Sequence, residues 1–391
     1  MNSKVVIVGA QRTPIGSFQG QLSTVPADEL GAAAIRGALS QAGVQPESVD
    51  DVLMGCVLPA GIGQAPARLA ARKAGIPTSA GAVTINKACG SAMKTIQIGH
   101  DQILAGSSDI VVAGGMENMS LAPYLLPKAR SGYRMGHGQT LDHMFFDGLQ
   151  NPDDGLMMGA FGERCAEKYD FSREQQDAFS VASIERALEA MKGQFSAEIT
   201  PVTVKSRRGE TVVSEDQEPP SCNIEKIPHL RAAFKKDGTV TAASSSKISD
   251  GAAATILMSA QKAAEMDVTP LATIVAHSTF SQDPEWFTTA PIGAIELVLK
   301  KAGWNIDDVD LFEVNEAFAT VTMAAMHELN IDHDKMNVNG GACALGHPIG
   351  ASGARVVVTL INALRQRGLK KGVAALCIGG GEATALAIEL P

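Results

Sequence analysis

The chain has 391 residues, enough for two or three domains. It is 45% hydrophobic and 19% charged, with a net charge of −9 and only 4% aromatic residues, so neither phosphate attraction nor base stacking favours a nucleic-acid partner. No apolar stretch reaches the ~18 uninterrupted residues that a membrane span needs.

The opening "MNSKVVIVGAQRTP" goes straight into a strand-like run, with neither a signal-peptide pattern nor an Arg/Ser-rich transit pattern, and a cytoplasmic protein is expected. "VVIVGAQRTPIG" has one glycine where a dinucleotide fingerprint needs three, which argues against that cofactor. From Ala34, "AIRGALSQAGVQPESVDDV" predicts an amphipathic helix closed by Gly43, then a turn and a strand. "AIELVLKKAGWNIDDVDLF" repeats it 260 positions later, placing Ala34 on Ala294, Leu39 on Leu299 and Ala42–Gly43 on Ala302–Gly303. "VTINKACGSA" likewise resembles "MNVNGGACALGHPIGAS", and "IVVAGGMEN" resembles "AALCIGGGEAT". Three matches in one order imply a duplicated α/β unit.

Cys89 falls where the strand-like "AGAVTI" gives way to a helix-like run through Ala92, Met93 and Ile96. A sulfur at a helix N-terminus favours thiolate, with a pKa lowered from about 8.5 to roughly 3.5–7.5. Taken alone, such a cysteine is more often a small buried hydrophobe. Cys56, Cys165, Cys222 and Cys343 are read as packing, and the absence of any C-x-x-C spacing argues against zinc or a disulfide framework.

Between the halves, residues 119–248 are rich in Met, Pro, Gly and charge, with one clear helix opened by a Ser172/Gln175 capping box. An insertion of this length is a lid, a binding domain or an elaboration for oligomer contacts. The expected division is 1–118 with 249–270 as the N-terminal half, 119–248 as the insertion and 271–391 as the C-terminal half.

Four segments carry the chemistry: "NKACGSAM" with Cys89, "EVNEAFA" with Asn315, "GHPIGASG" with His347 and "LCIGGGEA" with Cys377. Singly, Asn315 would be a helix cap, His347 a surface turn residue and Cys377 buried packing. Together they resemble the thiolase family, and the resemblance runs nearly the whole length of the chain. The last motif resembles the acetyl-CoA acetyltransferase branch more than the long-chain degradative one. The resemblance implies duplicated α/β halves in a layered αβαβα core with an inserted loop domain. It implies a reversible Claisen condensation of two acetyl-CoA to acetoacetyl-CoA and CoA, through an acetyl-Cys89 intermediate.

A thiolate nucleophile suits thioester exchange, and His347 can take the Cys89 proton and return one to the leaving CoA thiol. By resemblance Cys377 is the base for the α-proton. His347 and a water on Asn315 serve the enolate oxygen, and the N–H groups of Cys89 and Gly379 serve the acyl oxygen. Ser246 is implied to contact the pantetheine, with Leu149, Met158, Phe234, Ala242 and Phe318 lining its tunnel. Coenzyme A is then a substrate, no other cofactor or metal is implied, and a homotetramer is expected, with a dimer as the family's other form.

The chain departs from the family at Met157, where a histidine is common, at Lys247, where a glycine is usual, and at Pro219–Pro220, where an arginine often precedes the CoA-contacting stretch. Arg207, Arg208, Arg231, Lys235 and Lys236 are the substitutes considered for the CoA phosphates. A degradative thiolase of broader chain length and a non-catalytic acyl-CoA or lipid carrier are the alternatives. A decarboxylating ketoacyl synthase lacks the second cysteine of "LCIGGG".

Overall fold

Across the described residues, 4–391, the computed structural model of the chain alternates strands and helices. In order these are β1 (Val5–Arg12), α1 (Ala27–Ala42), β2 (Asp51–Gly55), α2 (Pro66–Lys73), β3 (Gly81–Ile85), α3 (Ser91–Leu104) and β4 (Ile110–Asn118). A segment carrying α4 (Met158–Tyr169) and α5 (Arg173–Met191) follows. The chain continues with β5 (Ser249–Ser259), β6 (Ala272–Ser281), α6 (Ala290–Ala302), β7 (Leu311–Val314), α7 (Ala319–Leu329), α8 (Ser352–Arg367), β8 (Lys371–Ile378) and β9 (Glu382–Glu389).

The repeat is visible in the backbone. Helix α1 stops where Gly43 adopts φ 68° and turns its N–H onto the carbonyls of Leu39 and Ser40. Helix α6 stops in the same way at Gly303, φ 70°, on Leu299 and Lys300. A left-handed residue closes a helix cheaply only when it lacks Cβ, which is why the sequence repeat preserves this glycine.

The sheet runs β7-β8-β9-β6-β1-β5-β4-β2-β3. It is symmetric about the antiparallel β1–β6 pair, Val5 facing Ile274. On one side β2 lies parallel to both β3 and β4; on the other β7 lies parallel to β8. The C-terminal counterpart of β3 is reduced to one parallel bridge, Phe312 with Met336.

Helices α3 and α8 form the middle layer. Residues Ser352 to Leu364 of α8 are all buried, as expected of a helix covered on every side. Met93, Ile96, Val357 and Leu360 pack with Leu53, Val111, Leu376 and Leu386 from both half-sheets in one core. Truncating Ile96 or Leu360 to Ala there costs ~2–5 kcal/mol. Outside this layer, α1 and α2 cover the N-terminal half-sheet and α6 covers the other, completing the expected αβαβα order.

Residues 119–248 lie beyond the sheet and carry two small hairpins, Tyr124–Leu125 with Leu141–Asp142 and Val202–Ser206 with Gly209–Val213. Ser172 and Gln175 close the capping box at the start of α5. The returning loop is fastened to the start of α7: Ser246 N–H donates to Ala317 O (3.0 Å) and Ala319 N–H to Ser244 O (2.8 Å).

Candidate active site

Cys89 sits at the β3–α3 corner that the sequence predicts. Ala88 there holds φ 41°, an uncommon value for a residue with Cβ. The turn is over-determined by its neighbours: Ala88 N–H donates to Asn86 Oδ1 (2.9 Å), Lys87 N–H to Ser91 Oγ (2.8 Å), and Ser91 Oγ to Ala88 O (2.6 Å). A Cβ on Gly90 would stand 2.3 Å from Ile378 Cδ1, so only glycine lets the corner approach the end of β8 this closely.

The thiolate expectation fails in the resting site. The Cys89 pKa is pushed up to about 11, first by burial among apolar groups, with the charge of Glu117 adding to it. The backbone N–H groups of Gly379 and of Cys89 itself bond the sulfur and pull the other way, too weakly to win. Although Cys89 is partly exposed, its wall is Val57, Leu58, Met119, Met144 and Ile349, and such a lining disfavours a bare charge more than one helix end favours it.

His347 is buried. Its Nδ1 lies 2.6 Å from Ser352 Oγ, and that hydroxyl donates to Pro348 O (3.0 Å). With its one hydrogen so placed, Ser352 accepts from Nδ1–H, which assigns the lone pair to Nε2. Asn315 Nδ2 lies 3.5 Å from that Nε2. Burial first, then the cation Arg355, lowers the His347 pKa to about 3, so the imidazole is neutral and ready to accept. Asn315 caps no helix. Its Oδ1 faces Arg355 Nη2 (3.4 Å), which turns its Nδ2 toward the histidine, and Arg355 is anchored on buried Glu313 (2.6 Å).

Cys377, at the end of β8, is buried against Phe161, Phe287 and Phe318. Its pKa is raised well above the ordinary thiol value, first by burial and then by the proximity of Cys89; the close approach of Gly90 to Ile378 sets the Cys89 corner against the strand end that carries Cys377. Two residues on, Gly379 turns its N–H to Cys89, and a Cβ there would meet Met158 Sδ at 3.2 Å.

A cavity of about 370 Å³ is lined by His347 together with Leu149, Met158, Phe234, Ser246 and Phe318. Met119, Phe145, Met157, Lys247 and Ile349 complete most of the wall. Ala242 does not line it: this residue is exposed, and its carbonyl receives the Lys247 ammonium. Cys343 is packed with Phe179 and Ala319, as expected. Among Arg207, Arg208, Arg231, Lys235 and Lys236, the Lys235 ammonium already pairs with Glu167.

Glu117 was not foreseen. At the end of β4 this fully buried carboxylate accepts N–H bonds from Val57 (2.9 Å), Leu58 (3.1 Å) and Gly350 (2.8 Å), tying the wall beside Cys89 to the loop bearing His347. Burial lifts its pKa to about 7 against the pull of those N–H groups. Ser352 and Arg355 were also missed. Ser352 stands inside the quoted "GHPIGASG", but nothing local shows that its hydroxyl turns back onto the histidine.

Two thiols, a neutral imidazole and inward-turned backbone N–H groups beside an apolar pocket define an enzyme of the acyltransferase class. The family profile described as "Thiolase, N-terminal domain" matches residues 5–261, and "Thiolase, C-terminal domain" matches 268–390. An acetyl-CoA acetyltransferase of Chromobacterium violaceum is 49% identical over 391 residues, covering 99% of this chain and 100% of that one. A probable acetyl-CoA acetyltransferase of Dictyostelium discoideum is 50% identical, covering 98% and 94%. The crystal structure of the Bacillus anthracis acetyl-CoA acetyltransferase superposes with a TM-score of 0.97 at 42% identity, over 100% of both chains. The chain belongs to the thiolase family.

Proposed function

We propose that the protein interconverts two molecules of acetyl-CoA with acetoacetyl-CoA and CoA. The observation that carries this reading is the packing of the Cys89 corner, through Gly90, onto Ile378 at the end of the strand bearing Cys377 in the opposite half, with the His347–Asn315 pair in place, together with full-length similarity to acetyl-CoA acetyltransferases. In the proposed first step His347 Nε2 takes the Cys89 proton while the sulfur attacks the thioester carbonyl. The bond to CoA sulfur breaks, and the N–H groups of Cys89 and Gly379 hold the carbonyl oxygen, a stabilisation worth ~100- to 1000-fold per donor.

Cys377 rests as a thiol because of its raised pKa, so it cannot act as a base until it loses a proton. The leaving CoA thiolate is the acceptor, and the exchange leaves CoA–SH and a Cys377 thiolate. A second acetyl-CoA then gives its α-proton to Cys377, and the enolate oxygen is held by the His347 imidazolium and by Asn315. The enolate carbon attacks the acetyl carbonyl, the bond to Cys89 sulfur breaks, and His347 returns its proton to Cys89. Atoms and protons balance without another cofactor.

The reading extends to Ser246 on the pantetheine in the tunnel bounded by Leu149, Met158, Phe234 and Phe318, to residues 119–248 as the CoA-binding insertion between two halves, and to a cytoplasmic homotetramer in fatty acid metabolism. No helix among the described residues is long and apolar enough to cross a membrane. Steady-state thiolysis of acetoacetyl-CoA against longer 3-ketoacyl-CoAs tests the substrate. The short substrate should have the higher kcat/KM, and a preference for the longer ones would point to the degradative branch.

A further inference from the structure

We propose that His100, Asp101 and His277 form a binding site for one divalent transition-metal ion of zinc-like chemistry, joining α3 to β6 at a place separate from the catalytic pocket. His100 Nδ1 and His277 Nε2 both point at Asp101 Oδ1, each at 2.9 Å. The two rings stand edge to face at 85° with centroids 5.0 Å apart, so their nitrogens converge on one point from different directions. All three ligand atoms lie within 4.8 Å of one another. A four-coordinate ion with bonds of ~2.0–2.2 Å holds its ligands ~3.3 Å apart. Rotation of the Asp101 side chain, which is 58% exposed, is enough to reach that spacing and leaves the fourth position to water.

Two imidazoles and one carboxylate suit zinc, cobalt or nickel; magnesium and calcium want more oxygens than this cluster offers. The charges also suit a cation. Each ring can move its N–H to its other nitrogen and present a lone pair without losing a proton. The pair on α3 lies near the C-terminal end of the helix, whose dipole favours positive charge. Opposing this, Lys301 on α6 places its ammonium on the His277 carbonyl (2.9 Å), which fixes the residue but adds a like charge, so micromolar rather than tighter binding is expected.

Helix α3 begins two residues after Cys89, and His100 lies nine residues further along it, roughly 14 Å at 1.5 Å per residue. An ion here fastens the helix that bears the nucleophile corner to the first strand of the C-terminal half without touching substrate.

The test is calorimetric titration of chelator-treated full-length protein with zinc chloride, alongside cobalt(II) absorption and thermal unfolding. The expected result is one ion per chain with micromolar Kd, a tetrahedral cobalt spectrum lacking intense thiolate charge-transfer bands, and a zinc-dependent rise in Tm. Asp101→Asn, His277→Ala and His277→Gln should each weaken binding ~10-fold or more and abolish the Tm shift, with metal-free thiolysis unchanged. Should one His277 variant fail to fold, the other and the exposed Asp101 substitution decide. Absence of stoichiometric binding, undiminished binding in the variants, or a thiolate-type cobalt spectrum each overturns the assignment.

Discussion

In the N-terminal half the chain leaves β3, turns through Asn86–Gly90 and starts α3 at Ser91; in the C-terminal half it leaves the single bridge at Met336, passes through a longer loop and starts α8 at Ser352. Both helices open on a serine that ties the loop down. Ser91 Oγ holds the Lys87 N–H and the Ala88 carbonyl; Ser352 Oγ holds His347 Nδ1 and the Pro348 carbonyl. The short corner leaves the sulfur among backbone N–H groups, where an acyl oxygen can be stabilised. The longer one buries an imidazole and fixes its tautomer. At the strand ends, the 260-residue shift sets Gly55 against Asn315. The pairings of Met54 with Gly114 and of Val314 with Ala375 then set Met116 against Cys377 and Glu117 against Ile378. One duplicated frame thus offers a thiol and a buried carboxylate on one side, and an imidazole, an amide and a second thiol on the other.

The comparison breaks most severely at the short corner. Cys89→Ala should lower kcat/KM by at least ~10⁴-fold while far-UV circular dichroism stays that of the wild type, because no other group replaces the covalent step. Activity within about tenfold of wild type would move the nucleophile elsewhere.

The matching change at the long corner is milder. Ser352→Ala removes the acceptor for His347 Nδ1–H and lets the ring carry its proton on Nε2. We expect kcat to fall ~10- to 100-fold with KM for acetoacetyl-CoA nearly unchanged, and Ser352→Thr to restore most of it. An equal loss in kcat and rise in KM would mean the serine only shapes the pocket.

How much of this was legible in the sequence depends on range. The repeat, the closing glycines Gly43 and Gly303, the capping box at Ser172 and the Cys89 corner are local patterns, and the fold reproduces each of them. The helix terminus beside Cys89 is a local feature and predicts a thiolate, while the wall of Val57, Met119 and Ile349 that keeps the sulfur protonated comes from three distant segments. Glu117 was invisible for the same reason, since its donors lie about 60 residues before it and, at Gly350, 233 residues away. Ala242 was placed by resemblance and lies off the cavity wall, its carbonyl held by Lys247 at a position where the chain departs from its family.

Glu117 sharpens the comparison further. Burial and the Glu117 charge both raise the Cys89 pKa. Glu117→Gln should therefore move the pH profile of Cys89 alkylation by iodoacetamide to lower pH and speed the reaction at pH 8 by about two- to fivefold. An unchanged profile would remove the carboxylate from the electrostatics of the site. The same variant tests linkage. The Glu117 pKa rises from 4.5 unfolded to about 7 folded, so the group's contribution to stability is present below pH 4.5 and is lost as pH rises through 7. That part of the pH dependence of Tm should disappear in the variant, alongside a pH-independent loss of ~1–3 kcal/mol from donors left without an acceptor.

The smallest effects belong to the rim of the insertion. Lys236→Ala should raise KM for CoA less than about threefold and flatten its salt dependence, while Lys235→Ala, with its ammonium already on Glu167, should do less. No change in the salt slope for either variant would exclude this basic stretch from CoA binding.

The division of labour between the two halves is tested most directly in Cys377→Ala incubated with acetyl-CoA and examined by peptide mass spectrometry. If the N-terminal corner acylates while the C-terminal thiol handles the α-proton, one acetyl group accumulates on the peptide containing Cys89 and no acetoacetyl-CoA forms. An acetyl group on any other cysteine, or acetoacetyl-CoA produced at a wild-type rate, contradicts the account.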